Sequence, residues 1–174
     1  MLFAIGTTVA VYVILVFFVS RLVVPFMGFR QQTMPVEIPP EIKTVIAELE
    51  SKATNQREYL QAVYDLILDK TLHQWRHTRF GAATHFHRGF VKDLAEIWQT
   101  RNFVYCTGIN YAAFVLLCGS KYFRPEQIQT RHVVVNFFIH QYLRVQLGDQ
   151  WVDFDPAGTG IRGHGLGHHL SWFG

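Results

Sequence analysis

Cysteine and charged residues are scarce in this chain of 174 residues. Two cysteines are too few for a disulfide-stapled scaffold or for a zinc site with four cysteine ligands. Charged residues make up 17% of the chain and apolar residues 49%, which excludes a disordered or highly charged tail protein. Residues 1–36 contain no acid, and the remainder carries 14 basic and 13 acidic residues. This near balance gives no support for nucleic-acid binding, and no nucleic-acid partner is expected.

The first twenty residues contain no charged side chain and predict a membrane anchor. Val9–Val19 is apolar on every face of a helix, and the whole run is long enough to span a bilayer. A cleaved signal peptide is the main alternative, but no basic residue precedes the run and Phe18–Arg21 is a poor cleavage site. We therefore predict a transmembrane helix over residues 1–24 and a single-pass membrane protein that contacts the lipid bilayer through this helix.

The segment after the apolar run is marked by arginines and prolines. Arg21 and Arg30 come after the apolar run, and by the positive-inside rule they favour a cytoplasmic position for the rest of the chain. Four of the six prolines fall within residues 25–40, which is typical of an extended linker. We predict a linker over 25–40, a folded domain over 41–157 and a Gly/His-rich tail over 158–174.

Helical periodicity comes first in the folded domain, and strand patterns follow. Helices are predicted over 41–52 and from Asn55, whose spacing to Glu58 has the form of a capping box. An apolar helix is predicted over 107–118, and the β-branched and aromatic residues of Val133–Ile139 predict a buried strand. This order indicates an α+β domain in which helices pack on an antiparallel sheet.

A β-hairpin is predicted over Ile139–Asp155. Gly148-Asp149 suits a two-residue turn, and such a turn pairs Leu147 with Gln150. Because opposed residues share a face, this register separates an apolar face from a polar one. The apolar face carries Leu143, Val145, Leu147, Val152 and Phe154.

The same register distinguishes the two aspartates of the hairpin. Arg144 lies opposite Asp153, which predicts a cross-strand ion pair. His140 and Asp155 become diagonal neighbours on the polar face, so that the carboxylate can orient the imidazole. The alternative is that both aspartates are solvated on an exposed face.

Three segments carry the most specific motif of the chain. They are Phe103-Val-Tyr-Cys106-Thr-Gly, His140-Gln-Tyr-Leu-Arg-Val and Trp151-Val-Asp-Phe-Asp155-Pro156. Their order resembles the transglutaminase-like superfamily of papain-related thiol enzymes, with a fit over residues 55–157. The family places a cysteine at a helix start, a histidine on a following strand and an aspartate in Trp-x-x-x-Asp-Pro. The resemblance implies a papain-like core with Cys106, His140 and Asp155 as catalytic residues, although Val-Tyr-Cys106 replaces the common Gly-x-Cys.

These residues have a coherent chemistry of their own. A helix N-terminus and a nearby imidazolium both favour a thiolate, so Cys106 is the expected nucleophile. His140 would hold and transfer the proton, and Asp155 would orient the histidine. Cys118, farther along the same helix, is expected to be a core residue. The Cys106 N–H is one expected oxyanion donor. The second donor stays open among Asn102, Gln99 and Trp98.

The expected function is that of a cysteine peptidase or amidase acting on protein or peptide amides. A cross-linking transglutaminase, which is an acyltransferase, is the alternative enzyme. A catalytically inactive binding domain at the membrane is a competing class. No metal or organic cofactor is expected. A structural metal-binding protein is a third class, and its candidate ligands are His73, His77, His85, His87, His164, His168 and His169.

The Gly/His-rich tail begins directly after Asp155-Pro156. We expect it to be a flexible or folded-back loop, and our hypothesis is that it lies beside the candidate cleft. The apolar residues with which it would cover part of the domain are Ile161, Leu166, Leu170, Trp172 and Phe173.

Overall fold

The computed structural model describes residues 2–28, 30–76, 86–100, 105–135 and 138–171, and it shows an α+β fold. The α-helices are α1 (Leu2–Val13), α2 (Ser20–Val23), α3 (Pro40–Lys52), α4 (Gln56–Arg76), α5 (Leu94–Gln99), α6 (Cys106–Cys118) and α7 (Pro156–Arg162). Ile14–Val19 is π-helical, and Phe86–Phe90 and Pro125–Gln127 are 3₁₀-helical. The strands are β1 (Ile128–Val135), β2 (Phe138–Leu147) and β3 (Gln150–Phe154).

The apolar N-terminal run does not form one long α-helix. It is divided into α1 of 12 residues, the π-helical segment of 6 residues and α2 of 4 residues. Crossing a bilayer takes about 20 helical residues, and no helix in the described part of the chain combines that length with the necessary apolar character. The predicted transmembrane helix over 1–24 and the single-pass membrane localisation are therefore wrong. The cytoplasmic orientation and the lipid contact inferred from that helix lose their basis.

Helices α3 and α4 begin where the local sequence favours a helix start. Pro40 is the first residue of α3, a position where its missing N–H costs no helical hydrogen bond. Before α4, Asn55 Oδ1 accepts from the Glu58 N–H at 3.0 Å. The Glu58 carboxylate accepts from the Thr54 N–H at 2.9 Å, so the return bond of the predicted capping box falls one residue earlier.

Helix α6 lies at the centre of the fold. All residues from Thr107 to Leu117 are buried, and the helix packs against α3, α4, α5 and β2. A helix that is apolar all round needs such coverage. The observed range agrees closely with the predicted helix over 107–118. Because Cys106 is its first residue, the central helix begins at the candidate nucleophile.

The sheet is antiparallel and has the strand order β1-β2-β3. Strands β2 and β3 pair Leu147 with Gln150 and Arg144 with Asp153, which confirms the predicted register. Gly148 opens the turn with a φ of 59°, a left-handed value that glycine adopts without a Cβ clash. The fully buried residues on the helix-facing side of this hairpin are Leu143, Val145 and Phe154.

The strand predicted over Val133–Ile139 covers the end of one strand and the start of the next. β1 ends at Val135, β2 begins at Phe138, and these two residues pair with each other. Residues 136–137 lie outside the described residues. The sequence pattern does not reveal the reversal because the residues on both sides of Asn136 are β-branched or aromatic.

Residues 25–28 and 30–39, which we call the N-terminal strap, lie against the domain although their prolines predict a spacer. The Phe26 ring stacks on Tyr111 of α6, with ring centroids 3.9 Å apart. The Phe26 carbonyl accepts from Gln141 Nε2 of β2 at 2.7 Å, and Gln31 Oε1 accepts from a backbone N–H of β1 at 2.8 Å. The strap therefore contacts the central helix α6 and strands β1 and β2.

We predict that Leu143→Ala lowers the free energy of unfolding by about 2–5 kcal/mol, because Leu143 is fully buried and the substitution leaves a cavity. Urea unfolding at pH 7 measures the loss. Leu147→Ala is the matched control, since Leu147 is on the same strand and face but only half-buried. An equal loss in the two variants would contradict the placement of the core under Leu143.

Candidate active site

Cys106 stands at the N-terminus of α6. Tyr105 is the N-cap residue, and its side chain makes no capping hydrogen bond. The first N–H groups of a helix have no partner within the helix and carry a partial positive charge. Cys106 is half-buried, and its thiol does not take part in a disulfide. Its sulfur therefore lies at a position that favours a negative charge.

His140 and Asp155 meet as the hairpin register predicts. His140 Nε2 lies 2.9 Å from Asp155 Oδ1 and 2.8 Å from Oδ2, so its N–H is shared between the two carboxylate oxygens. Their relative exposures are 2% and 0%. Such complete burial requires a hydrogen-bonded pair, because an isolated buried charge is strongly disfavoured. The alternative of a solvated Asp155 is thereby excluded.

The charge of His140 is set by three opposing influences. Burial by itself lowers the pKa of the imidazole. Hydrogen bonds to the side chains of Asp155 and Cys106, together with the negative charges of both groups, outweigh burial and raise the pKa from 6.5 to about 10. His140 is therefore an imidazolium at neutral pH. Because Nε2 faces Asp155, Nδ1 is the ring nitrogen left for Cys106.

Asp155 is held by backbone groups as well as by His140. It is the N-cap residue of α7, where its Oδ1 accepts from the Gly158 N–H at 2.8 Å. Its Oδ2 accepts from the Leu170 N–H at 2.8 Å. Each carboxylate oxygen thus has one backbone donor, and the carboxylate plane is fixed relative to the imidazole.

Asp153 belongs to a separate ion pair on the same hairpin. Arg144 Nε lies 2.9 Å from Asp153 Oδ1, which confirms the predicted cross-strand contact, although the N–H is not aligned on the oxygen. Asp153 Oδ2 lies 2.7 Å from His169 Nδ1. The two aspartates therefore have different partners, and only Asp155 touches His140.

A buried polar network next to His140 was not anticipated from the sequence. Asn110 Nδ2 of α6 donates to the Gln141 carbonyl at 2.6 Å, and the Gln141 side chain donates to the strap. Asn110 and Gln141 are both fully buried. The available signal was a lone asparagine inside an otherwise apolar helix, since a buried amide must find a partner. This network ties the helix that carries Cys106 to the strand that carries His140.

His132 is a second histidine near the site, but it has the opposite charge state. It lies across the sheet from Gln141, with its Nε2 3.2 Å from Gln141 Nε2. Burial first, and then the positive charges of Arg21 and His140, lower the pKa of His132 from 6.5 to about 4. His132 is therefore neutral where His140 is charged, and it adds no competing cation beside the pair.

The candidates for a second oxyanion donor lie in different surroundings. Gln99 Nε2 is exposed and donates to Glu41 of α3 at 2.9 Å. Trp98 is buried, and the Lys70 ammonium lies 4.4 Å from the centroid of its ring. Asn102 lies outside the described residues. The Cys106 N–H at the start of α6 stays the predicted oxyanion donor.

Cys118 differs from Cys106 in its electrostatic surroundings. Burial raises the pKa of the Cys118 thiol to about 12, and the negative charge of Glu126 adds to this shift. The expectation of a core residue agrees with its packing against the hydrophobic core. Both cysteines are free, and they lie at opposite ends of α6.

The histidines do not form a metal site within the described residues, where no group of three or more potential ligands comes together. His77 and His85 lie outside those residues. In the tail, His164 and His168 face each other with ring centroids 5.9 Å apart, while His169 points to Asp153.

Comparison of the chain with protein-family models, with curated proteins and with solved structures gave no match. The resemblance to transglutaminase-like enzymes therefore comes only from the three sequence segments quoted above. The structure places Asp155 against His140, and Cys106 lies near enough to His140 to help raise the pKa of its imidazole.

We predict that Gly158→Ala lowers the free energy of unfolding by about 1–3 kcal/mol, the usual cost of overpacking. An added Cβ would lie 2.7 Å from the Asp155 Cγ and 3.0 Å from the Leu170 Cβ, so the carboxylate would have to shift. Gly165→Ala is the control, because its Cβ would meet nothing within 4 Å. Urea unfolding distinguishes the two variants, and equal stability would show that the space around Asp155 is not restricted.

We also predict a specific dependence of stability on pH. The pKa of His140 is higher in the folded protein than the ordinary 6.5, so its protonation stabilises the fold in full below about pH 6.5. This contribution is lost as the pH rises toward 10. Asp155→Asn should flatten the fall in unfolding free energy between these pH values, because it removes the carboxylate that raises the pKa.

The control for this pH dependence is Asp149→Asn, which removes an exposed carboxylate in the turn of the same hairpin. This variant should keep the wild-type slope of unfolding free energy against pH between 6.5 and 10. A wild-type slope in Asp155→Asn would mean that the carboxylate does not set the charge of His140.

Proposed function

We propose that this chain is a transglutaminase-like cysteine enzyme that performs thiol-mediated acyl chemistry on protein or peptide amides, with hydrolysis as its main reaction. The observation that carries the proposal is the buried His140–Asp155 pair, whose imidazole has a pKa raised by Asp155 and by Cys106 at the start of α6. A thiol beside a protonated imidazole has the partner it needs to become a thiolate, and the thiolate is the nucleophilic form of cysteine.

In the first step, Cys106 Sγ attacks the amide carbonyl carbon, a C–S bond forms, and the carbonyl π electrons move onto oxygen. Helical N–H groups point toward the N-terminal end of a helix, and we assign the Cys106 N–H at the start of α6 as the donor to this oxyanion. The Tyr105 side chain does not cap this helix start, and the first N–H groups of a helix have no partner within the helix.

In the second step, the tetrahedral intermediate collapses and the C–N bond breaks. His140 gives its proton to the leaving amine, and the acyl group stays on Cys106 as a thioester. Asp155 keeps the imidazole oriented throughout, because its own two oxygens are held by backbone N–H groups.

Acylation also changes the charge of His140. The thiolate contributes to the raised pKa of His140, and it disappears when the thioester forms, whereas the burial that lowers the pKa remains. The pKa therefore falls, and the neutral imidazole can take a proton from water. The resulting hydroxide attacks the thioester, the C–S bond breaks, and a carboxylic acid and the original ion pair are restored.

Hydrolysis is preferred over cross-linking because it needs only water as the acyl acceptor. Cross-linking by a transglutaminase needs a bound amine, whose nitrogen would attack the same thioester. The competing interpretation is an inactive binding domain, which would have no requirement for a charged histidine beside the thiol. Thiol reactivity separates this binding domain from both enzymes.

We predict that iodoacetamide modifies Cys106 of the full chain rapidly at pH 6, where an ordinary thiol with a pKa of about 8.5 is less than about 1% thiolate. His140→Ala should slow this reaction at least about tenfold, because it removes the imidazolium. Mass spectrometry of tryptic peptides locates the label and gives the rate.

Cys118 is an internal control for this measurement. Its raised pKa keeps it a neutral thiol, so it should stay unlabelled at pH 6, and Cys118→Ala should react like the wild type. Cys106→Ala should abolish labelling and also the cleavage of a peptide-amide library. An unreactive Cys106 in the folded protein would favour the binding domain over the enzyme.

A further inference from the structure

The Gly/His-rich tail turns back onto the hairpin after α7. Gly163 and Gly167 have φ values of 75° and 98°, which allow the chain to reverse where a side chain would be strained. The Gly167 N–H donates to the Asp153 carbonyl at 2.9 Å. Residues Gly163–Ser171, which we call the return segment, therefore lie beside β3 and next to Asp155.

Leu170 is the residue of the return segment that reaches the candidate triad. Its N–H donates to Asp155 Oδ2 at 2.8 Å, and its side chain is 2% exposed. The other backbone donor to Asp155 is Gly158, which comes from α7 and binds Oδ1. The carboxylate is thus clamped between two backbone segments, one on each oxygen.

His169 anchors the return segment immediately before Leu170. Its Nδ1 lies 2.7 Å from Asp153 Oδ2, and its ring stacks parallel on Tyr142 with centroids 4.3 Å apart. Tyr142 is on β2, two residues after His140 and on the same face of the strand. These two contacts hold the backbone of the next residue, Leu170, within hydrogen-bond distance of Asp155.

We propose that the return segment is a positioning element of the triad, in which the Leu170 N–H fixes Asp155 and His169 fixes Leu170. This inference rests on the proposed function for its catalytic meaning. The return segment lies beyond residues 55–157, over which the chain resembles transglutaminase-like enzymes. It contributes a hydrogen bond to the orienting carboxylate and no group to the reacting atoms.

The Leu170 N–H matters because the His140 N–H is shared between the two oxygens of Asp155. This arrangement needs a carboxylate plane that does not rotate. Without the Leu170 donor, Oδ2 would keep only its share of the His140 N–H, and rotation of the carboxylate would weaken the contact with His140. A weaker contact lowers the pKa of His140 toward its ordinary value, so that less of the imidazolium that favours a negative sulfur on Cys106 is present at a given pH.

The test uses two substitutions of one residue in the full chain. Leu170→Pro removes the N–H, whereas Leu170→Ala removes most of the side chain and keeps the N–H. We expect Leu170→Pro to slow alkylation of Cys106 at pH 6 at least about tenfold, the weakest effect of losing a hydrogen bond to a charged group. Leu170→Ala should retain the wild-type rate even if its melting temperature falls.

A second set of variants applies if Leu170→Pro does not fold. His169→Ala removes the anchor, His169→Gln keeps an amide donor for Asp153, and the exposed His168→Ala is the matched control. We expect slower alkylation in His169→Ala, recovery in His169→Gln and no change in His168→Ala. NMR titration of His140 should show its pKa moving toward 6.5 in the variants that react slowly.

The outcomes separate this inference from the proposed function. Wild-type alkylation rates and an unchanged His140 titration in Leu170→Pro and His169→Ala would overturn the positioning role. Equal loss in Leu170→Ala and Leu170→Pro would also overturn it, because the side chain would then matter and not the N–H. If wild-type Cys106 is unreactive, the proposed function fails, and the His140 titration alone still decides whether the return segment orients the Asp155–His140 pair.

Discussion

A charged histidine and a charged aspartate buried together are the constraint on which the rest of the site depends. His140 and Asp155 are almost completely excluded from water, and each ion would be strongly disfavoured there by itself. Their contact offsets part of that cost, and the remaining lone pairs of Asp155 need further donors. Helix α7 and the return segment supply these donors as backbone N–H groups. The chain after β3 thus passes the Asp155 carboxylate twice and supplies one hydrogen-bond donor to each of its oxygens.

Strand β2, which carries His140, is also held by a buried hydrogen bond on the face opposite His140. Gln141 points away from the ion pair, and its buried amide donates to the strap at the Phe26 carbonyl. Phe26 has a φ of 62°, a left-handed value that costs a non-glycine residue about 1–3 kcal/mol. Its stacking on Tyr111 and its hydrogen bond hold it there. Segments distant in sequence thus meet at two consecutive residues of β2.

Helix α6 shows how position along one helix separates two cysteines chemically. Cys106 begins the helix, where the helix dipole and the His140 imidazolium both favour a negative sulfur. Cys118 ends the helix, where burial and Glu126 disfavour it. The same side chain is therefore a candidate nucleophile at one end and an inert core residue at the other.

Local patterns in the sequence determined the α+β order, the central helix and the hairpin register, because Gly148-Asp149 admits one short turn and its register follows by counting. That register was enough to select His140 and Asp155 as partners. Only the tertiary structure decided the contact of Cys106 with His140, the Asn110–Gln141 network and the Leu170 donor. These depend on packing between segments far apart in the chain, which no local pattern encodes. The tertiary structure also decided how the apolar N-terminal run folds. Composition measures how apolar a segment is, whereas the length of a helix depends on backbone geometry. A π-helical segment divides this run, so it does not form one long α-helix.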